Sequence, residues 1–369
     1  MKYTALLLGF VLAGSAYADE IDDIVRTTMK SEKVPGVVVH IQRGDKVLKR
    51  GAYGICNLDL QVKTRQNSVF ELASISKTMT AAAVMLLVEE GKVGLDDPIS
   101  KYVEGTPEAW NDITVRRLLN HTTGLRDLPW NYAKFTAPKP LRYSISAQVA
   151  DVGKVPLLFK PGTSYSYTSF GYTLLGQVIA KGSGQKFAEF MTKRILEPLG
   201  MRETYFLDSE AVIPNRAEQY TKRGDGYAIW RLATVMQAVD DKAYATFAAS
   251  AADVAKFFVA VANGKLLKPS SVAQFDTPQS LSNGTKLPNV GLGWFLGGAN
   301  GRATSGHSGY TGTMGIRFLD DGLVVVVLSN LGSGYPSPFG NDKSYDVTSF
   351  AYKIADQAAK RFGKSPAIK

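Results

Sequence analysis

The stretch from Thr78 to Val88 reads TMTAAAVMLLV and carries no charge. Set as a helix, it has no polar face to turn toward water, so it has to lie in a core with other elements on every side. Glu89-Glu90-Gly91 follows it, and Gly91 suits the left-handed position that ends a helix. A fold that wraps one helix all round must be large. The 369 residues, 45% of them hydrophobic, suffice for one large domain or two smaller ones.

Strand patterns sit toward the two ends of the chain. Val37 to Gln42 (VVVHIQ) and Val47 to Tyr53 flank the turn Arg43-Gly44-Asp45 and predict a hairpin. Thr313 to Leu319 and Leu323 to Leu328 (LVVVVL) flank Asp320-Asp321-Gly322 and predict a second. Gly291 to Leu296 (GLGWFL) is a further strand candidate. From about Asp96 to Tyr244 the signals are mostly helix or loop. Thr114 reads as a cap before Val115, and Gly171 to Lys181 and Phe187 to Leu196 read as amphipathic helices. Ser250 reads as the cap of a helix from Ala251 to Ala262, and Tyr345 to Arg361 as a terminal helix. The expected fold class is α+β. An antiparallel sheet is built from both termini (about 19–75 and 245–369), flanked by helices, with a mostly helical region inserted (about 76–244) and a cleft between them.

The first eighteen residues read as a signal peptide. Lys2 gives a positive start, Ala5 to Ala13 is apolar, and Ala16-Tyr17-Ala18 is a small-x-small cleavage pattern. The apolar run is too short to span a membrane, and no later run is long enough. The expectation is a periplasmic or secreted protein of residues 19–369 with no transmembrane segment. The single cysteine, Cys56, allows no internal disulfide, and with no histidine nearby it reads as a small hydrophobe. The formal charge is +10, but Lys and Arg are scattered and no nucleic-acid motif accompanies them, so a nucleic-acid partner is not expected.

Three short boxes carry the chemistry. In Ser74-Ile75-Ser76-Lys77 a hydroxyl and an amine lie three residues apart, which one helical turn brings to one face. The start of a helix also offers unpaired N–H groups and a positive dipole end, which favour an alkoxide or oxyanion. This points to a serine acyl hydrolase with Ser74 as nucleophile and Lys77 as proton acceptor. The second box, Pro161 to Ser169 (PGTSYSYTS), is a polar loop that presents Tyr167 and Ser169. A tyrosine facing an ammonium is drawn toward the phenolate and can take or give a proton. The third, Ser305-Gly306-His307-Ser308-Gly309-Tyr310, puts His307 among small residues that let a ligand approach the backbone, ahead of a strand. The amides of Ser74 and Tyr310 would form an oxyanion hole. Each box alone also fits a plain helix start, a packed tyrosine loop or a glycine-rich turn.

Rival machinery is sparse. Gly306 to Tyr310 nearly spells a nucleophile elbow, but Tyr310 stands where that motif needs glycine, and no histidine follows His307. His40, His121 and His307 form no pair with metal-ligand spacing, so no metal is expected. Neither a Walker-type loop nor a dinucleotide fingerprint occurs, and no cofactor is expected.

With these boxes in order, the chain resembles the serine β-lactamase and penicillin-binding-protein superfamily. It is most similar to the class C β-lactamase-like branch, which includes D,D-carboxypeptidases, D-aminopeptidases and family VIII carboxylesterases. The matching segments are FELASISKT (Phe70 to Thr78), LDDPISKY (Leu95 to Tyr102), LLNHTTGL (Leu118 to Leu125), PGTSYSYTSFGYTLLG (Pro161 to Gly176), GLGW (Gly291 to Trp294) and GHSG (Gly306 to Gly309). The resemblance implies Ser74 as nucleophile, Lys77 as its activating amine and Tyr167 as general acid/base. It implies His307 at the head of the substrate-facing box with Ser308 and Gly309, and the Ser74 and Tyr310 amides as the oxyanion hole. The chain departs from the pattern twice. Ser169 replaces the Asn of Tyr-x-Asn, and a hydroxyl cannot make both contacts that an amide makes. His307 replaces the Lys of Lys-Thr-Gly, and a neutral imidazole attracts a carboxylate less than an ammonium does. Both changes favour a carboxylesterase or amidase acting on small esters or amides. A D,D-carboxypeptidase, penicillin-binding protein or β-lactamase acting on peptidoglycan peptides or their analogues is the alternative, and a non-catalytic binding module is a third.

Overall fold

Valine-rich runs that alternate cleanly along two faces build the centre of the molecule. The computed structural model describes residues 19–126, 144–207, 211–230, 247–332 and 346–364. Its main sheet contains β1 (Gly36–Arg43), β2 (Lys46–Asn57), β3 (Val62–Lys63), β4 (Phe295–Ala299), β5 (Arg302–Gly309), β6 (Thr313–Phe318) and β7 (Leu323–Ser329). The order is β4-β5-β6-β7-β1-β2-β3, and every neighbouring pair is antiparallel. The N-terminal and C-terminal hairpins join where β1 pairs β7, from Val37 opposite Ser329 to Arg43 opposite Leu323.

Successive side chains of a strand point to opposite faces, so both faces of this seam need cover. Val38, Val324, Val326 and Leu328 enter one core, and Val37, Val39, Ile41, Val325 and Val327 enter another. The second core is closed by the amphipathic helices α1 (Glu20–Glu32) and α5 (Val347–Phe362). The first is shared with α2 (Ser76–Glu89), α3 (Phe170–Ser183) and α4 (Ala251–Ala262). Every residue of α2 from Ser76 to Leu87 is buried, as the uncharged run that begins at Thr78 requires. Its end follows the expected cap, with Gly91 left-handed at φ +68°. Thr114 and Ser250 cap their helices by accepting from the amides of Arg117 and Asp253. The architecture is the expected α+β arrangement of sheet and flanking helices.

Several local expectations are corrected. The strand expected over Gly291 to Leu296 begins only at Phe295. Gly291 to Trp294 forms a turn in which Gly293 is left-handed at φ +81°, and a Cβ there would strike Ala81 and the Tyr172 hydroxyl. The His307 box precedes the strand β6 as expected, but it is itself the end of a strand, β5, because β4 and β6 pair on either side of it. The inserted region is mostly helix and loop as expected, with short strands that the sequence reading did not place. It contains a strand at Thr204–Phe206 and a hairpin of Tyr220–Arg223 with Gly226–Ile229. The helix from Phe187 is α-helical to Met191 and then forms a π turn over Thr192–Leu196. The segment from Pro129 to Arg142, expected to be a loop that sets acyl-chain preference, and residues 1–18 lie outside the described residues.

Candidate active site

Ser74 does not begin the long helix itself. It sits in a single 3-10 turn, Ala73–Ile75, that leads into α2 at Ser76. Ala73, just before it, is left-handed at φ +48°, a conformation that costs a residue with a Cβ about 1–3 kcal/mol. Neighbouring elements hold the turn there. The Leu72 amide donates to the Phe247 carbonyl at 2.8 Å, and the Phe247 amide donates to Ser76 Oγ at 2.9 Å. The hydroxyls of Thr311 and Thr313, just past β5, donate to the carbonyls of Glu71 (2.6 Å) and Leu72 (3.0 Å). Gly309 closes the contact, since a side chain there would strike the Leu72 carbonyl and Ala73. These contacts carry the third box, with Tyr310, against the turn that carries Ser74. Ser76 is thus structural, and of the two box-one serines Ser74 is the one that meets Lys77 and Tyr167.

Two proton-carrying groups converge on Ser74 Oγ. The Tyr167 hydroxyl donates to it at 2.7 Å, and the Lys77 amine donates to it at 3.1 Å. Lys77 also reaches Ser169 Oγ at 3.4 Å. Ser169 therefore keeps the contact to the lysine that the resemblance assigns to an Asn. It sits at the N-terminal end of α3, which places it beside Tyr167. Lys77 is buried, and its Nζ lies 5.0 Å from the Tyr167 ring centre and 5.5 Å from that of Tyr172. Aromatic faces at that distance attract an ammonium and offset part of the cost of its burial.

His307 faces the same place, with its ring 6.1 Å from that of Tyr167 and 4.5 Å from that of Phe295. Its pKa is pushed down to about 3, chiefly by burial and then by the charge of Lys77. The ring is neutral at pH 7. Its Nδ1 lies 2.7 Å from the Ser308 carbonyl, which can only accept, so Nδ1 carries the proton and Nε2 is the bare acceptor. Tyr310 follows β5, with its ring 5.0 Å from Trp230. Cys56 is the penultimate residue of β2, buried, with its thiol pKa raised by burial. No group of three or more His, Cys, Asp or Glu placed to hold a metal ion occurs among the described residues.

The structure brings Ser74, Lys77, Tyr167, Ser169 and His307 together as one cluster, with Ser308, Gly309 and Tyr310 on the adjoining backbone. Sequence reasoning missed His121, Tyr172 and Phe295, which line the cluster with rings. They lie in the LLNHTTGL, PGTSYSYTSFGYTLLG and GLGWFL segments, whose pattern points to the resemblance, to Tyr167 and Ser169, and to helix or strand, but not to these three rings.

The family model described as Beta-lactamase matches residues 21–347. The chain belongs to the Beta-lactamase family. This family of serine hydrolases spans several activities, and the relatives show the spread. Penicillin-binding protein 4* of Bacillus subtilis (strain 168) is 28% identical over 329 residues, covering 84% of this chain and 71% of that protein. The octameric penicillin-binding protein homologue from Pyrococcus abyssi superposes with a TM-score of 0.74 at 25% identity, over 94% of this chain and 78% of that one. The D-amino acid amidase from Ochrobactrum anthropi SV3 gives 0.72 at 22% identity, over 93% and 99%. EstCE1, a hydrolase with promiscuous acyltransferase activity, gives 0.72 at 19%, over 92% and 98%. The last two likenesses show the shared fold.

Proposed function

We propose that this Beta-lactamase-family protein is an exported serine carboxylesterase or amidase that works through an acyl-enzyme on Ser74. The observation that carries the reading is the convergence of Tyr167 and Lys77 on one hydroxyl oxygen. In acylation, Ser74 Oγ bonds to the acyl carbon while its proton passes to the Tyr167–Lys77 pair, which enters the step one proton short, as a free amine or a phenolate. The carbonyl oxygen takes the negative charge between the amides of Ser74 and Tyr310. Collapse breaks the bond to the leaving alcohol or amine, which takes the proton from the pair. Water then attacks the acyl carbon and gives its proton to the pair, with His307 Nε2 as a second acceptor. Ser74 leaves with a proton and the acid is released. No cofactor enters the scheme.

The state of His307 supports a neutral substrate. A neutral imidazole that presents a lone pair accepts from an N–H, an O–H or a water, and offers a carboxylate nothing. Small esters and amides fit this better than a substrate with a free carboxylate beside the scissile bond. Hydrolysis of p-nitrophenyl butyrate by the purified protein tests the reading. Ser74→Ala should lower kcat by at least about a thousandfold, and turnover retained in that variant would remove Ser74 from the mechanism.

A D,D-carboxypeptidase or penicillin-binding activity is the second reading, favoured by the likeness to penicillin-binding protein 4* over most of the chain; a β-lactamase is a weaker form of it. Release of D-alanine from a peptide ending in D-Ala-D-Ala, faster than ester hydrolysis, would put this reading first. Export rests on the pattern of residues 1–18, and an exported chain whose N-terminus is Asp19 is the expected product.

A further inference from the structure

His121 is the one histidine near the cluster to which the scheme above gives no task, yet the chain goes to some lengths to place it. Its backbone is left-handed at φ +60°, a region that residues with a Cβ seldom occupy. That turn buries the ring, leaving 3% of the residue exposed, and lays it on Tyr167 with ring centres 4.4 Å apart and planes 33° from parallel. Tyr172 lies against it at 5.3 Å and Tyr165 meets it edge-on at 6.1 Å. Three hydrogen bonds tie the Tyr167 loop to this segment. The Gly162 amide donates to the Thr122 carbonyl (2.7 Å), the Ser166 amide to the His121 carbonyl (3.0 Å) and the Thr168 amide to His121 Nδ1 (3.3 Å). Two of the three end on His121, and they bracket Tyr167 on both sides in the chain.

We infer that His121 is a positioning residue for Tyr167: its ring backs the phenol, while its carbonyl and Nδ1 fix the loop on either side of it. The inference rests on the reading of Tyr167 as the proton carrier at Ser74. The role requires a neutral ring with Nδ1 unprotonated. Burial first, then the charge of Lys77, hold the His121 imidazole well below its ordinary pKa. His121 therefore accepts at Nδ1 where His307 donates, so the two rings hold opposite tautomers around one phenol. Other side chains supply only part of this. Phenylalanine keeps a ring and loses the acceptor for the Thr168 amide. Asparagine places an acceptor near Nδ1 and tolerates the left-handed backbone, but leaves the face of Tyr167 bare.

Kinetics of p-nitrophenyl butyrate hydrolysis across pH, with melting curves, for the parent, His121→Asn, His121→Phe and Tyr167→Phe test this. Among the described residues the titratable side chains set around Tyr167 are Lys77, His121, His307, Tyr165 and Tyr172. A phenol shifted from Ser74 and opened to water should lose kcat about tenfold to a hundredfold with KM little changed. The limbs of the pH–rate profile should also move in His121→Asn, which a purely structural defect would not cause. Parent-like kcat and profile in both His121 variants would overturn the inference. So would a loss that tracks only the fraction of folded protein, with the profile unmoved. Tyr167→Phe separates the two readings: full activity there would overturn the role of Tyr167 itself, whereas an inactive Tyr167→Phe beside parent-like His121 variants would overturn only the role of His121.

Discussion

His307 and His121 are both buried and both neutral at pH 7, and the reason is legible only in the fold. A histidine in a run of Ser and Gly looks able to carry charge. Packed beside Lys77 and out of water, His307 is held at about 3. The consequence for stability has a definite sign. The unfolded chain takes up a proton near the ordinary histidine pKa of 6.5, and the folded ring does not until about pH 3. Stability from this residue is complete above about pH 6.5 and is lost as pH falls from there toward 3. His121 and His40, both also lowered by burial, act in the same direction. The melting temperature of the parent should therefore fall more steeply between pH 7 and pH 4 than that of His307→Gln. Parallel slopes in thermal melts would show His307 to be charged in the fold. Ser74, Lys77 and Tyr167 could be found from their spacing and company along the chain. The tautomers could not, because each is set by a backbone group, the Ser308 carbonyl or the Thr168 amide, whose direction follows from the fold.

The turn that carries Ser74 is held between elements distant in the chain. The strand just before it, Phe70–Glu71, pairs with Phe247–Ala249, and Glu71 forms an ion pair with Arg216. Glu71 is 1% exposed, so its carboxylate depends on its partners. Removing one partner of a buried pair costs about 3–5 kcal/mol, because the other charge stays behind. Arg216→Ala should lower the unfolding free energy by that order, seen as a lower urea midpoint, and disturb the Ala73 turn, reducing kcat as well. An unchanged midpoint would show the carboxylate to be satisfied without Arg216. At this scale the caps, the two large hairpins and α2 were legible, because local pattern and tertiary role agree there. GLGWFL misled because its apolar residues read as a strand, while Gly293 is bent left-handed to let the turn approach Ala81 and Tyr172. The His307 box misled in the opposite sense. Small residues do not look like a strand, but pairing on both sides makes them one.

Across the whole molecule, the sheet draws its strands from the two ends of the chain, and the Ser74 cluster lies where α2, the Tyr167 loop and the end of β5 meet. The residues that meet on Ser74 Oγ come from box one and box two, and those beside them from box three, so the site exists only when the distant parts of the chain have joined. Strand patterns at both ends with helices between made that architecture readable. The substrate was not readable in the same way, because one fold hosts many activities and the rings that line this site became neighbours only on folding. The central claim is that one serine, activated by Lys77 and Tyr167, carries the acyl group. The most direct test is the intact mass and peptide map of the protein quenched during turnover of a p-nitrophenyl ester, beside Ser74→Ala. A single acyl adduct on the peptide that contains Ser74, absent from the variant, is the predicted result. An adduct on another residue, or ester turnover that persists in Ser74→Ala with no adduct, would contradict the account.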